Sequence, residues 1–183
     1  KEILIPGVHN VENYMAAITV VEGLVSDETI RHVAKTFGGV EHRIEPVCTI
    51  DGVAYYNDSK ASNTDSAIKA LETFAGHIVL LAGGDDKMTD LTDFMQLAVG
   101  RVDELILLGN AAARFREAAL QQGFAAEHIH EAGYSMEKAV ELAHGLSRAP
   151  QVVLLSPACA SFDLYPNFEA RGIHYKNLVK ELH

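Results

Sequence analysis

The sequence contains no tryptophan and only two cysteines, Cys48 and Cys159. Two cysteines by themselves form neither a disulfide framework nor a metal site. Each lies in or directly after an apolar run, where a free cysteine behaves as a small buried hydrophobic residue. We therefore expect two buried free thiols and a reducing compartment.

Basic charge is also scarce in this chain. It has 15 lysines and arginines against 25 acidic residues, which gives a formal net charge of −10. A general nucleic-acid-binding protein needs a basic face to neutralise phosphates, so we expect no nucleic-acid partner. A nucleotide is still compatible with this charge, because a few local cations hold one.

Long apolar runs and two common site patterns are missing as well. No apolar run approaches the roughly 20 residues that span a membrane, so we expect no membrane association. The nine histidines show no HExxH or other ligand spacing, and GxxxxGK[ST] does not occur. We expect no metal ligands in this chain and no loop that by itself cradles a triphosphate.

Strand-like and helix-like segments alternate along most of the chain, whose composition of 48% hydrophobic and 22% charged residues is that of a soluble globular protein. Asp51-Gly52 is a strong signal for a two-residue hairpin turn. The alternation elsewhere predicts an α/β fold, a Rossmann-like doubly wound, mostly parallel sheet flanked by helices. The predicted strands are Cys48–Ile50, Val53–Asn57, His77–Ala82, Glu104–Leu108 and Val152–Leu155, and the predicted helices 64–74, 90–100, 111–122, 135–147 and 167–181.

A shorter segment precedes this alternation. The apolar run KEILIPG predicts a strand, and two helical patterns follow, from about Asn13 to Val25 and from near Ser26 to Phe37. Gly38-Gly39 is a helix stop and predicts a domain boundary. We expect residues 1–39 to be a strand–helix–helix tail of another domain, 40–183 to form a domain of their own, and the chain to be a C-terminal fragment.

The segment SPACASFDLYPNFEARG, residues 156–172, follows a predicted buried strand. In open α/β sheets ligands bind beyond the carboxyl ends of the strands. Small residues let the backbone approach a ligand, Ser161 offers a hydroxyl, and Pro166 suits the first turn of a helix. The N–H groups near Phe168 then form an anion site. The pattern indicates a carboxylate pocket, and an ordinary tightly packed strand–loop–helix joint is the alternative.

Polar residues also follow two other predicted strands. In YYNDSKASNTDSA, Lys60 offers a cation that could bind a carboxylate or a phosphate. Asp58 could bind a ribose hydroxyl or orient Lys60, and the hydroxyl of Ser62 could donate to a substrate carboxylate. The alternative is a helix cap by Ser62 or Asn63. In LLAGGDDKMTD, a glycine pair permits a tight turn and Lys87 provides a second cation.

Two further motifs bear on nucleotides. Asn10 and Asn13 in GVHNVENYMAA are amides that suit the edge of a purine, although Asn10 also suits an ordinary N-cap. Arg43 in EHRIE is able to reach a phosphate on a neighbouring domain with its planar fork of donors. A surface ion pair of Arg43 with Glu41 or Glu45 is the alternative.

Five motifs occur in a fixed order, GxHNxxN, HRxE, NDSKAxN, GGxDKxxD and SPACASFDxxxxFxxRG. In this order the chain resembles the Mur ligase family over essentially its whole length. The third and fifth motifs are the most specific to the member that adds D-glutamate. The alternatives are another muramyl-peptide or folylpolyglutamate-type ligase and a non-enzymatic module that binds an acidic metabolite.

The resemblance implies a monomeric cytoplasmic ligase of peptidoglycan synthesis with three domains, a UDP-binding domain, a central P-loop ATPase domain and a C-terminal amino-acid-binding domain. Residues 1–39 resemble the tail of the second domain and 40–183 the third. The implied substrates are D-glutamate, ATP with Mg²⁺, and UDP-N-acetylmuramoyl-L-alanine, the last held mostly by other domains. This chain alone is then expected to be inactive.

The resemblance also implies residue roles. Asn10 and Asn13 match the adenine-side motif, and Asp58 matches an acidic residue near the nucleotide. Arg43 matches an arginine that reaches the ATP phosphates, and Lys60 a catalytic lysine that supports substrate and phosphate. The D-glutamate carboxylates are matched by four groups: Ser62, where the family more usually has threonine, Lys87, Ser161 and the Phe168 backbone.

Overall fold

The computed structural model describes residues 3–182, which divide into two compact units between Glu41 and His42. The first unit contains two helices, α1 (Val8–Val21) and α2 (Asp27–Thr36). The hydroxyl of Ser26 accepts a hydrogen bond from Thr29 N at 3.2 Å and caps α2. This N-cap, with acidic residues in the first turn, confirms the predicted start of the second helix.

The N-terminal part of the first unit differs from the prediction in two ways. The helix α1 begins at Val8 rather than Asn13, because Gly7 adopts a positive φ of 98° and turns the chain into the helix. Residues 3–7 form no strand, and residues 1 and 2 lie outside the described part. A strand needs a hydrogen-bonding neighbour, and all the paired strands between residues 3 and 182 lie in the second unit.

The second unit is built on a six-stranded sheet in the order β1-β2-β6-β3-β4-β5. The strands β1 and β2 are antiparallel, and the other neighbours are parallel. Asp51 and Gly52 have φ angles of 49° and 81°, the two positive values that a type I′ turn requires. The predicted hairpin and mostly parallel sheet are confirmed. The strands span Glu45–Ile50 (β1), Val53–Asn57 (β2), Ile78–Gly83 (β3), Val102–Leu108 (β4), Ile129–Gly133 (β5) and Val152–Leu155 (β6).

Strand β5 was not among the predicted strands. Its sequence IHEAG has no continuous apolar run, and only Ile129 and Ala132 in it are buried. As an edge strand with polar neighbours it lacks the hydrophobic pattern that sequence-based prediction depends on.

Helices cover both faces of the sheet. Alternate side chains of β3 point to opposite faces, so that Leu80 and Ala82 pack with α3, α4 and α5, while Val79 and Leu81 pack with α6 and α7. None of the helices in residues 3–182 combines the length and apolar character needed to cross a bilayer. The helices span Thr64–Thr73 (α3), Thr92–Val99 (α4), Ala112–Gln121 (α5), Met136–Leu146 (α6) and Phe168–Lys180 (α7).

Both cysteines are free thiols, as predicted, but their burial differs. Cys159 is buried, and burial raises the pKa of its thiol to about 12. Cys48 lies on the edge strand β1 and is only partly buried.

Candidate anion site at the carboxyl edge of the sheet

The strand order brings three chemically distinct loops together. Strand β6 lies between β2 and β3, so the loops that follow these strands, 58–63, 156–167 and 84–91, meet at one edge. This is the edge at which open α/β sheets bind ligands. Five of the predicted site residues lie in these loops: Asp58, Lys60, Ser62, Lys87 and Ser161.

Asp58 joins the first of these loops to its surroundings. It is 4% exposed, its Oδ2 accepts a hydrogen bond from Ser156 Oγ at 2.7 Å, and its Oδ1 accepts one from Ile44 N at 3.2 Å. Burial raises the pKa of this carboxyl group to about 7, although both hydrogen bonds favour the charged form. Both carboxyl oxygens therefore face the protein interior.

We expect the Asp58→Asn variant to gain stability relative to the native chain as the pH rises. The folded-state pKa of Asp58 lies above the ordinary value of 3.8, so its contribution to folding is fully present below pH 4 and is lost as the pH rises through 7. At pH 8 the variant has no ionised buried carboxylate at this position. Between pH 4.5 and pH 8 its free energy of unfolding should therefore rise by roughly 1–4 kcal/mol relative to that of the native chain, since one pKa unit corresponds to about 1.4 kcal/mol.

Urea unfolding of both chains at pH 4.5 and pH 8 checks this expectation. A stability difference that is the same at the two pH values would contradict the raised pKa. Asp93→Asn on α4 is a suitable comparison, because the side chain of Asp93 is exposed.

Lys60 and Lys87 present two ammonium groups from loops on either side of β6. Both side chains are exposed. The Nζ of Lys60 lies 5.6 Å from the centroid of the Phe168 ring, a cation–π distance, and the Nζ of Lys87 donates to Ser62 O at 3.1 Å. Within residues 3–182 neither ammonium group pairs with a carboxylate. Two cations that lack a carboxylate partner in this part of the chain favour the binding of an anion at this edge of the sheet.

Asparagines cap the helices that follow two of these loops, α3 and α7. Asn63 Oδ1 accepts from Ser66 N at 2.8 Å and caps α3, so the hydroxyl of Ser62 does not cap this helix. Asn167 Oδ1 accepts from Ala170 N at 2.7 Å and caps α7. The expectation that Pro166 lies in the first turn is wrong, because Asn167 takes the capping position and the helix begins at Phe168.

The loops after β6 and β3 are held together through their backbones. Gly83 N donates to Pro157 O at 2.9 Å, and Asp85 N donates to Ala160 O at 3.0 Å. Ser161, which follows Ala160, is 2% exposed. The two backbones lie so close that a Cβ on Gly84 would be only 2.4 Å from Ala160 O.

Arg43 extends from a constrained segment that precedes β1. Its neighbours His42 and Ile44 have positive φ angles of 65° and 43°, a conformation that is rare for a β-branched residue. The exposed Arg43 side chain does not pair with Glu45, whose Oε1 instead accepts from Lys176 Nζ at 2.9 Å. Because Lys60 N donates to His42 O at 3.0 Å, this segment and the Lys60 loop are adjacent.

Asn10 and Asn13 lie in the first unit. Asn10 is inside the first turn of α1, where its Nδ2 donates to Pro6 O. The N-cap interpretation of Asn10 is therefore wrong, since Gly7 occupies that position. Asn13 Nδ2 donates to Asn10 Oδ1 at 3.3 Å, which orients the two amides with respect to each other.

Sequence reasoning missed the polar groups beneath these loops. Arg171 is 2% exposed and Ser59 is fully buried, and neither was among the candidate residues. A bidentate ion pair also holds the Lys87 loop, because Arg114 Nε and Nη2 each lie 2.7 Å from Asp86. This pair lowers the pKa of Asp86. The available signal for Arg171 was its place in FEARG, because position 171 lies about one helical turn after the end of the loop 156–167.

The chain is similar in sequence to a known family of ligases. The family model described as "Mur ligase, glutamate ligase domain" matches residues 42–159. A protein of Alkaliphilus metalliredigens named UDP-N-acetylmuramoylalanine--D-glutamate ligase is 47% identical over 99% of this chain and 39% of its own length. The protein of that name from Clostridioides difficile is 43% identical, over 99% of this chain and 40% of its own. The chain thus spans about 40% of the length of these relatives.

Solved structures show the same fold at low identity. The UDP-N-acetylmuramate-alanine ligase of Thermotoga maritima aligns with a TM-score of 0.70 at 17% identity, over 99% of this chain and 40% of its own. A folylpolyglutamate synthase of Mycobacterium tuberculosis aligns with a TM-score of 0.72 at 14% identity, over 94% of this chain and 41% of its own. Because the family model covers most of the second unit, this chain belongs to the Mur ligase family, and the match lies in the glutamate ligase domain of that family.

Proposed function

We propose that this chain is part of a monomeric, cytoplasmic ligase that adds D-glutamate to UDP-N-acetylmuramoyl-L-alanine in peptidoglycan synthesis. One observation carries the proposal. Lys60 and Lys87 reach the carboxyl edge from loops on either side of β6 without a carboxylate partner in the described residues. An acidic amino acid and the phosphate of an acyl-phosphate intermediate need separate anion-binding groups, and the names of the relatives point to D-glutamate as that amino acid.

We assign residues 1–39 to the central ATP-binding domain and 40–183 to the amino-acid-binding domain. In the second unit, Ser62, Lys87, Ser161 and the N–H of Phe168 hold the two carboxylates of D-glutamate. Phe168 N is the first N–H of α7, and the first N–H groups of a helix have no partner within it. Arg43 lies towards the nucleotide phosphates, and Asn10 and Asn13 contact the adenine. Asp58, whose carboxyl oxygens bind Ser156 and Ile44 in the interior, orients the loop of Lys60 near the nucleotide.

The proposed reaction begins with transfer of the γ-phosphoryl group of ATP to the alanine carboxylate. The amine of D-glutamate then attacks the acyl carbon, a C–N bond forms, the C–O bond to phosphate breaks, and the nitrogen loses a proton. This chain contributes mainly by positioning the amine, which is a large effect when two reactants must meet. Lys60 and Arg43 offset the negative charge that develops on the phosphate oxygens.

The cationic groups at this edge do not fit Mg²⁺. Lysine and arginine bind anions, whereas Mg²⁺ requires oxygen ligands in near-octahedral geometry. We therefore assign no metal ligand to Arg43, Lys60 or Lys87, and no step of the proposed reaction depends on these residues binding the ion.

Phosphate release by the full-length protein tests the proposal. The assay contains ATP, Mg²⁺ and UDP-N-acetylmuramoyl-L-alanine, with D-glutamate, L-glutamate, L-lysine or meso-diaminopimelate in parallel. We expect turnover with D-glutamate alone, and no turnover by the isolated 183-residue chain under any condition.

Each alternative outcome has a distinct meaning. Turnover with another of the amino acids would keep the ligase but overturn the assignment of the pocket. The absence of turnover, together with binding of an acidic metabolite, would favour a non-enzymatic module.

A further inference from the structure

A buried arginine lies beneath the candidate site. Arg171, in the first turns of α7, is 2% exposed. Burial lowers the pKa of its guanidinium to about 10, so it stays charged at neutral pH. Burying a charge costs several kcal/mol unless its donors are satisfied, and the hydrogen bonds of Arg171 all go to neutral oxygens in the described part of the chain. If position 171 only filled space in the interior, an apolar side chain of similar volume would do so with a smaller desolvation free energy.

The guanidinium of Arg171 connects two of the three site loops. Its Nε donates to Ser59 Oγ at 2.9 Å and its Nη2 to Ser59 O at 2.8 Å, in the loop after β2. On the other side, Nη1 donates to Ala160 O at 3.0 Å, and Nη1 and Nη2 donate to Cys159 O at 3.2 and 3.1 Å. One rigid side chain therefore sets the separation of two loops that are distant in sequence.

The loop after β3 and the start of α7 belong to the same arrangement. Gly84 packs so closely that a Cβ there would lie 3.2 Å from Arg171 Nη1. The hydroxyl of Ser59 accepts from Arg171 and donates to Phe168 O at 2.8 Å. The atoms that Arg171 and Ser59 contact are thus close in sequence to the proposed D-glutamate groups. Ser62 follows Ser59 by three positions, Ser161 follows Ala160, Lys87 follows Gly84 by three positions, and Ser59 Oγ hydrogen-bonds to Phe168 itself.

We propose that Arg171 is a positioning residue that sets the distance between the two carboxylate-binding ends of the amino-acid pocket, and with it the length of the dicarboxylic amino acid that the enzyme accepts. The inference rests on the function proposed above. A guanidinium suits this task because its donors form a planar, rigid fork. A lysine keeps the charge, but its single ammonium nitrogen cannot replace the separate guanidinium nitrogens that donate to Ser59 and to Ala160.

Steady-state kinetics of the full-length enzyme test the role of Arg171. For Arg171→Lys we expect the KM for D-glutamate to rise about 10- to 100-fold, since a shift of about 1 Å in a binding group has effects of that size. The KM for ATP should change less than about threefold. The ratio of kcat/KM for D-glutamate over D-aspartate should fall at least about tenfold, because the two carboxylate sites are no longer held at one separation.

Two further variants complete the design. Ser59→Ala removes one acceptor of Arg171 and the contact with Phe168 O, and we expect it to lower the D-glutamate to D-aspartate ratio by about three- to tenfold. The matched control is Arg116→Lys on α5, whose guanidinium contacts Ile129 O at 3.4 Å, away from the three loops. We expect this control to leave all the kinetic constants unchanged.

The possible outcomes separate this inference from the proposed function. If the native enzyme does not use D-glutamate, the function and the inference both fail. If the native enzyme uses D-glutamate, two results for Arg171→Lys overturn only the positioning role. One is an unchanged ratio of kcat/KM for D-glutamate over D-aspartate. The other is an equal loss of kcat/KM for D-glutamate, D-aspartate and ATP. If Arg171→Lys shows no cooperative unfolding, the kinetics of Ser59→Ala replace it as the test. An unchanged ratio of kcat/KM for D-glutamate over D-aspartate in folded Ser59→Ala then overturns the inference.

Discussion

Replacing Lys60 by methionine is expected to lower kcat/KM of the proposed full-length ligase by roughly 10³-fold, which is the size of effect seen when one preorganised charge-stabilising group is removed. Lys60 is exposed, has no carboxylate partner in residues 3–182, and lies beside the Phe168 ring at the carboxyl edge. Methionine keeps much of the length and apolar stem of lysine and removes the charge. Because Lys60 is assigned to the charge that develops on the phosphate oxygens, we expect the loss mainly in kcat.

The fold should be unaffected by this change. Substitutions of exposed side chains usually alter the free energy of unfolding by less than about 0.5 kcal/mol. Lys69→Met on α3 is the matched control, because Lys69 is also exposed and its Nζ contacts Glu72 at 2.8 Å on the helix surface. A Lys60→Met enzyme within tenfold of the native rate would remove Lys60 from the proposed mechanism.

Replacing Gly84 by alanine is expected to destabilise the chain by about 3–5 kcal/mol. Gly84 has a φ of 132°, which L-residues rarely adopt, and the added Cβ would lie 2.4 Å from Ala160 O and 3.3 Å from Cys159 Cβ. Strained backbone costs about 1–3 kcal/mol, and forcing atoms into a packed interior costs about 1–3 kcal/mol more. Because the clash is with backbone, the loops after β3 and β6 must move apart.

Thermal and urea unfolding of the 183-residue chain measure this effect. For a chain of this size a loss of 1 kcal/mol lowers Tm by about 2–4 °C, so we expect a drop of roughly 10 °C. Gly145→Ala in α6 is the control, because nothing lies within 4 Å of a Cβ there and its φ is not positive. We expect this control to be neutral or to gain up to about 1 kcal/mol from the higher helix propensity of alanine. Equal effects of the two changes would contradict the close packing of Gly84.

Most elements of the second unit were predictable because their signals are local. The helix α3 was predicted over 64–74 and spans Thr64–Thr73, and β6 matches its predicted bounds. Hydrophobic periodicity and a cap within four residues define such elements. Predictions failed where the local signal was weak or misleading, at the edge strand β5 and at residues 3–7, whose apolar run has no strand partner among the described residues.

The candidate site was predictable as a list of residues but not as an arrangement. Lys60, Lys87 and Ser161 follow predicted strands, and that position alone marks them as candidates. Nothing in the sequence indicates that β6, the last strand in the chain, lies between β2 and β3. Asp58 was expected near a ligand, yet its carboxyl oxygens bind Ser156 and Ile44 in the interior.

The α/β class, the hairpin at Asp51-Gly52, the helices of the second unit and the lysines of the candidate site follow from the sequence, because each signal lies in residues a few positions apart. Which loops meet, and what holds them together, follows from the fold. Arg171 contacts Ser59 across 112 positions of sequence, and Gly172 must be a glycine because a Cβ there would meet the ring of His42. Such contacts depend on packing between distant segments, which no local pattern of residues encodes.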